Sequence, residues 1–129
     1  MSIFEVVAIF RKVKAMDSPT SFLTGSRVYG TPRADSDIDL VVLMSGDALC
    51  KLIEIAESQD SLGASGGEQY EDGRSLRFGK LNLLCVTQER HFNAWRIGTE
   101  ELEHMKPVTR DFAIEHLAAI RRKAGIQGW

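Results

Sequence analysis

The sequence has few cysteines, little net charge and no long apolar run, and each shortage excludes a class of protein. Cys50 and Cys85 are the only cysteines in 129 residues. Each lies in an apolar stretch, so we expect buried free thiols in a reducing compartment rather than a disulfide framework. The formal net charge of −2 gives no overall attraction to nucleic acids or membranes. No stretch approaches the roughly 18 apolar residues of a membrane span, so we expect a cytoplasmic protein without membrane association.

Hydrophobic residues make up 43% of the chain, which is enough to fill one core, so we predict a single domain over residues 1–129. The first part of the chain shows apolar residues first at helical spacing and then in two strand-like runs. A helical turn begins at Ser26 between these two runs, and a further helix ends near Ser58. The two predicted helices lie at residues 1–14 and 47–58, and the two predicted strands lie at residues 21–24 and 38–43.

The second part of the chain begins with a polar segment and continues with a hairpin and two helices. Residues 59–73 are rich in glycine, serine and acids, and this composition predicts a mobile loop. The last helix has Thr109 as its cap and is predicted to bury a face that includes Ile114. The element order predicts an α+β (α/β) fold, a small mixed β-sheet with helices packed on it. The strands of the hairpin are predicted at residues 74–78 and 81–87, and the two helices at residues 88–104 and 110–123.

One motif carries most of the chemical information in this chain. Gly25-Ser26 follows one predicted strand, and after ten intervening residues Asp37 and Asp39 stand at the start of another. Residues two apart on a strand point to the same side, so both carboxylates should face one site. Two neighbouring negative charges repel unless a cation lies between them, and carboxylate oxygens suit Mg²⁺ or Mn²⁺. Because Mg²⁺ commonly completes its shell with phosphate oxygens, the pattern predicts a site for a metal and a nucleoside triphosphate.

The glycine–serine pair fits the same ligand. Gly25 lets the backbone approach a phosphate closely, and Ser26 offers a hydroxyl and an N–H at a turn that leads into a helix. Solvated aspartates and an ordinary turn are the alternative interpretation of the two halves taken separately. Their joint occurrence ahead of an apolar strand favours a binding site.

This stretch resembles the signature of the nucleotidyltransferases of the DNA polymerase β superfamily in their minimal, single-domain form. The resemblance implies a two-metal transfer of a nucleotidyl group from a nucleoside triphosphate to a hydroxyl, with release of pyrophosphate. It also implies that Asp37 and Asp39 hold the metals and that Ser26 contacts the terminal phosphates. The matching residues are Gly25-Ser26, Gly30, Ser36-Asp37, Asp39 and Leu40-Val41-Val42. The expected nucleotide-binding set is Gly25, Ser26, Arg27, Arg33 and Ser36.

The chain departs from this family at one position. Family members place a third carboxylate on a later strand, where it ligates the catalytic metal and helps to deprotonate the acceptor, but the matching residue here is Asn82. An amide oxygen can ligate a cation, but it brings no charge and is not a base at neutral pH. Asn82 is therefore either a member of the site or a structural amide, and Glu68, Glu71 or Asp72 is a candidate substitute. With its asparagine, the segment 78–95 resembles phage-encoded and prophage-encoded minimal members.

Two functions follow as alternatives. The first is an enzyme that moves a nucleotidyl group, AMP from ATP, to a hydroxyl of a protein, RNA or small molecule, with Asp37, Asp39 and Asn82 as its catalytic residues. The second is a low-turnover, nucleotide-binding regulatory module, such as an antitoxin or phage factor, which the missing carboxylate favours. We expect the acceptor to be held by residues 59–73, by the last two helices, or by a second subunit or partner protein. The histidines show no metal-ligand spacing and are predicted at the surface or at helix ends: His91, His104 and His116.

Overall fold

The computed structural model describes residues 20–33, 35–58, 64–70, 72–78 and 80–126. Within these ranges the strands are β1 (Thr20–Thr24), β2 (Ile38–Leu43), β3 (Ala64–Tyr70), β4 (Gly73–Phe78) and β5 (Leu81–Val86). The helices there are α1 (Ser26–Tyr29), α2 (Gly46–Ser58), α3 (Glu89–Met105) and α4 (Arg110–Lys123). The helix predicted over residues 1–14 lies outside the described residues. The other predicted helices and strands are present, with ends that shift by at most one residue.

The five strands form one mixed sheet in the order β1-β2-β5-β4-β3. β2 and β5 pair in parallel, and the other three pairings are antiparallel. A parallel pair needs a long crossover, which α2 and the following strands supply between β2 and β5. The sheet and its helices confirm the predicted fold class.

Alternation along the strands divides the core between two faces of the sheet. On one face Val42 and Leu83 are fully buried against the helix α2. On the other face Val41 and Leu84 of the sheet pack against Phe92 of α3. Asp39 is two residues before Val41 and therefore lies on the α3 side of the sheet.

The helices α3 and α4 pack on each other and bring the start of α4 close to α1. Thr109 caps α4 as predicted, since its hydroxyl accepts a hydrogen bond from the Phe112 N–H at 3.2 Å. The N–H of Val108 donates to the carbonyl of Tyr29 at 2.9 Å and ties the α3–α4 link to α1. The predicted buried position of Ile114 is wrong, because this side chain is 52% exposed. Ala113 and Leu117 of α4 are the residues that pack against α3.

The mobile loop predicted over residues 59–73 is wrong for residues 64–70, which form β3. This strand pairs antiparallel with β4 along the edge of the sheet, with a register shift between Gly66 and Gln69. Its mostly small or polar residues have low strand propensity, but that propensity is worth only about 1 kcal/mol and depends on the neighbouring strand. The tertiary context therefore overrides the local composition. Residues 59–63 lie outside the described part.

The two cysteines occupy different environments. Cys85 is fully buried, as predicted, and burial raises the pKa of its thiol to about 12. Cys50 is exposed on α2, which corrects the prediction that both thiols are buried. Across the part of the chain that is described, every helix is too short or too polar to cross a membrane.

Candidate active site

Strand pairing gathers four side chains into one row across the sheet. Thr24 of β1 is opposite Asp39 of β2, and Asp39 is opposite Asn82 of β5. Asn82 is in turn opposite Arg77 of β4. Side chains opposite one another on adjacent strands are close enough to touch. The row therefore assembles a polar site from residues that are up to 58 positions apart in the sequence.

The Asn82 amide connects the two aspartates. Its Nδ2 donates to Asp39 Oδ1 at 2.7 Å and lies 3.3 Å from Asp37 Oδ2. A single amide group can reach both carboxylates only because they project from the same side of the chain. The structure thus brings together the three residues that we expected to be catalytic.

Arg77 adds a positive charge that the sequence analysis did not identify. Its Nη2 lies 3.2 Å from each carboxylate oxygen of Asp37. The register of the β4–β5 hairpin was the available signal, since Arg77 and Asn82 are equally far from the turn and alternation puts them on one face. A hairpin prediction extended to side-chain pairs would have placed Arg77 beside the carboxylates.

Gly25 forms the wall of the site behind Asp39. Its φ of 80° lies in the left-handed region that favours glycine, and a Cβ there would overlap Asp39 Oδ2. Two amides of α1, from Val28 and Tyr29, donate to the Gly25 carbonyl at 3.0 and 3.2 Å. Glycine therefore serves both the helix start and the close approach to Asp39. Ser26 follows as the first residue of α1 and is half-buried.

Three members of the predicted nucleotide-binding set, Arg27, Arg33 and Ser36, form hydrogen bonds within the segment before β2. Arg27 Nη2 donates to the Ser36 carbonyl at 2.6 Å, and its Nε donates to the Asp37 carbonyl at 3.2 Å. The Arg33 N–H donates to Ser36 Oγ at 2.7 Å. Arg27 thus holds the backbone that carries Asp37. Arg33 is exposed at the surface of the same segment.

The electrostatic surroundings leave Asp39 short of positive charge. Burial raises the pKa of this carboxyl group, the hydrogen bond from Asn82 opposes that effect, and the charge of Asp37 raises the pKa further. Arg77 and Arg110 contribute smaller opposing effects. The ionised Asp39 is therefore costly in the protein alone, which favours binding of a cation beside it.

Buried hydroxyl groups lie next to the carboxylate row, since Thr24 is opposite Asp39 in the sheet. Thr24 Oγ1 and Thr99 Oγ1 are 2.8 Å apart and link β1 to α3. Burial raises the pKa of Tyr29, a hydrogen bond with Thr24 opposes this, and the charge of Asp39 raises it again. The phenol accordingly stays neutral. These contacts connect β1, α1 and α3 beside the site.

Comparison with known proteins places this geometry in a family. The sequence matches the family model of the nucleotidyltransferase domain over residues 8–118. The chain belongs to that family. This nucleotidyltransferase domain has no match among the curated proteins that were searched. Nucleotidyl transfer is the reaction class that the family indicates.

A solved structure shares the fold of this nucleotidyltransferase domain. It is terminal uridylyl transferase 4 from Trypanosoma brucei with bound UTP and UpU, at a TM-score of 0.50 and 18% sequence identity. The similarity covers 78% of this chain and 37% of the transferase chain. At this identity the similarity shows the fold.

The donor set of the nucleotidyltransferase domain fits one divalent cation. Asp37 and Asp39 supply anionic oxygens, and rotation of the Asn82 amide would add a neutral one. Across the described residues, no group of three or more His, Cys, Asp or Glu side chains could hold a metal.

Asp72 does not substitute for the third carboxylate, because it lies at the other end of β4 from Arg77. It is 8% exposed, and its Oδ1 is 2.8 Å from Nδ1 of His91. Nε2 of His91 accepts from Nε1 of Trp95 at 3.1 Å, so the proton of the neutral imidazole sits on Nδ1. His91 is fully buried in the first turn of α3, so of its two predicted positions the helix end is confirmed and the surface is wrong. Glu71 and the side chain of Glu68 lie outside the described residues.

Proposed function

We propose that this chain is a metal-dependent nucleotidyltransferase that moves AMP from ATP to a hydroxyl of a protein, an RNA or a small molecule. The observation that carries the proposal is the pair Asp37 and Asp39, joined by the Asn82 amide beside Gly25, in a chain of the nucleotidyltransferase domain family. ATP is our choice of donor from the sequence. UTP is the competing donor because the structural neighbour contains it.

In this proposal the two aspartates hold Mg²⁺ or Mn²⁺ together with the phosphates of the nucleotide. The bound cation would supply charge stabilisation at the reacting phosphate. Gly25 leaves room for the backbone to approach the triphosphate, and Ser26 offers its hydroxyl to the terminal phosphates. The raised pKa of Asp39 supports a cation at this place, since the ionised carboxylate gains most from one.

Asn82 favours a second candidate function, a nucleotide-binding module with little turnover. Its Nδ2 donates to both aspartates, so the side chain acts as a hydrogen-bond donor where a carboxylate would serve as a base. Without that base the acceptor hydroxyl must lose its proton to water or to the substrate. Such a module would act through a partner protein. The resemblance to phage-encoded members stays a prediction.

Transfer of label from nucleotides that carry it at either the α or the γ phosphate tests the proposal. We expect only α-label to reach an RNA 3′-hydroxyl, a protein extract or the chain itself, and only with Mg²⁺ or Mn²⁺. Each of the four nucleoside triphosphates is assayed, because this ranks ATP against UTP. Loss of transfer in Asp39→Asn would tie the label to the site.

The variant Asn82→Asp separates the two candidate functions. If the wild type transfers label, the enzyme is supported, and we expect the added carboxylate to raise the rate by about tenfold or more. If only Asn82→Asp transfers label while the wild type binds nucleotide, the regulatory module is supported. Transfer of γ-label, or no nucleotide binding in any variant, would contradict both.

A further inference from the structure

We propose that Arg77 is a built-in counter-cation of the carboxylate pair, so that the divalent cation enters this site with the nucleotide and not alone. The inference rests on the proposed function, because it assumes that the site binds a cation and a triphosphate. It adds a binding order and a residue that sets it. Arg77 would leave Asp37 when the phosphates arrive and then bind the phosphates.

Arg77 occupies the side of Asp37 that a cation needs. Its Nη2 is 3.2 Å from both Asp37 oxygens, and Asn82 Nδ2 is 3.3 Å from Oδ2. Hydrogen-bond donors thus cover both oxygens of this carboxylate. A metal ion requires those lone pairs and is also repelled by the guanidinium charge. Free Mg²⁺ or Mn²⁺ must therefore displace Arg77 without offering it another anion.

Exposure makes the displacement easy once another anion is present. The Arg77 side chain is 51% exposed and that of Asp37 is 33% exposed, so the ion pair contributes little to folding and can exchange. A guanidinium presents several N–H donors in a planar fork that matches phosphate oxygens. A metal–nucleotide complex brings both the cation for Asp37 and the anion for Arg77.

The local charge gives the direction of the effect. Asp37, Asp39 and Arg77 together leave one net negative charge at the carboxylate pair, with a smaller positive contribution at Asp39 from Arg110. Removal of the Arg77 charge leaves two negative charges to attract a cation. The same removal takes away a donor for the triphosphate. One substitution should thus change the affinities for metal and nucleotide in opposite directions.

The experiment compares Arg77→Met with Arg74→Met on the same strand. Arg74 lies on the opposite face of β4 and pairs with Glu57 of α2 at 3.7 Å, so it is a matched loss of one arginine away from the site. Binding of Mn²⁺ alone is followed by electron paramagnetic resonance of the free ion. Binding of non-hydrolysable ATP and UTP analogues is followed by calorimetry at saturating Mg²⁺.

We expect Arg77→Met to bind Mn²⁺ alone about threefold to tenfold more tightly than the wild type, and to bind the nucleotide analogues more weakly by a similar factor. Arg74→Met should match the wild type in both titrations. Arg77→Lys keeps the charge, so its affinity for Mn²⁺ alone should stay near that of the wild type. If Arg77→Met fails to fold, Arg77→Gln provides the test, because it also removes the charge but keeps a polar side chain.

The outcomes separate this inference from the proposed function. Unchanged or weaker Mn²⁺ binding in Arg77→Met would overturn the counter-cation role, even if nucleotide binding is normal. Tighter binding of both metal and nucleotide would also overturn it, because Arg77 would then only block the site. Failure of the wild type to bind either nucleotide analogue with Mg²⁺ would instead remove the proposed function itself.

Discussion

Gly25 is the single residue on which the shape of the carboxylate site depends most directly. We expect Gly25→Ala to lower the free energy of unfolding by about 1–3 kcal/mol, because alanine is strained at φ 80° and its Cβ would overlap Asp39. Nucleotide binding should fall with it. Gly46→Ala is the matched control, since a Cβ there meets nothing within 4 Å. Chemical denaturation and calorimetry measure both effects. Normal stability and nucleotide binding in Gly25→Ala would contradict the close packing.

Asp39 is a residue whose charge destabilises the protein on its own. Asp39→Asn keeps the shape and removes the repulsion from Asp37, so we expect the free energy of unfolding at neutral pH to rise by about 0.5–1 kcal/mol. Because burial raises the pKa of Asp39, the wild-type carboxyl group takes up its proton in the folded state first. The gain should be complete above that pKa and shrink as the pH falls through it. Thermal unfolding over a pH series checks this, and a gain that grows on acidification would contradict it.

Sequence periodicity was sufficient to place Asp37 and Asp39 on one side of a strand. It could not identify the bonding partners of Arg27 or Arg77, because those depend on how distant segments meet. Arg27 stands in the motif, where the sequence predicts a phosphate contact, yet its donors go to the carbonyls of Ser36 and Asp37. A side-chain donor that finds a backbone acceptor leaves no periodic signal.

At the scale of elements, His91 fastens α3 to the turn before β4 and keeps the helix in place over the sheet. His91→Ala removes the partner of the buried Asp72 carboxylate and leaves a cavity, so we expect a loss of about 2–4 kcal/mol. His104→Ala, on the same helix but exposed, should change stability by about 0.5 kcal/mol or less. Equal effects in the two variants, measured by denaturant unfolding, would contradict this role.

The same histidine gives the stability of the element a pH dependence. Burial lowers the pKa of His91, hydrogen bonding to Asp72 opposes this, and Arg121 and Arg90 lower the pKa further. The unfolded chain therefore takes up a proton first, so stability should decline as the pH falls below about 6.5 towards the lowered pKa. This decline should be smaller in His91→Ala.

The strands and helices with strong periodicity were predictable from the sequence, whereas β3 was not. Ala64–Tyr70 is a glycine-rich and polar segment, and only its pairing with β4 makes it a strand. Whether a polar edge segment of this kind forms a strand depends on the strand that it pairs with. The same limit applies to Ile114. Its place among apolar residues at helical spacing predicted burial, but its side of α4 has no neighbour among the described elements.

At the scale of the whole molecule, both faces of the sheet carry apolar core, and the candidate site lies on the α3 face. The α2 face is a continuous apolar core, and the α3 face carries an apolar cluster and, beyond Val41, the carboxylate row. The candidate site thus takes its residues from the ends of four strands and from the start of one short helix. The chain spans 37% of the solved transferase that shares its fold.

Calorimetric titration of ATP and UTP with and without Mg²⁺ tests the central claim most directly. The wild type should bind a nucleotide only when Mg²⁺ is present, and the Asp37→Asn, Asp39→Asn double variant should lose affinity by about tenfold or more. Asp35→Asn, an exposed aspartate in the same segment, should bind as the wild type does. Nucleotide binding that needs no Mg²⁺, or that survives in the folded double variant, would contradict the assignment of this site.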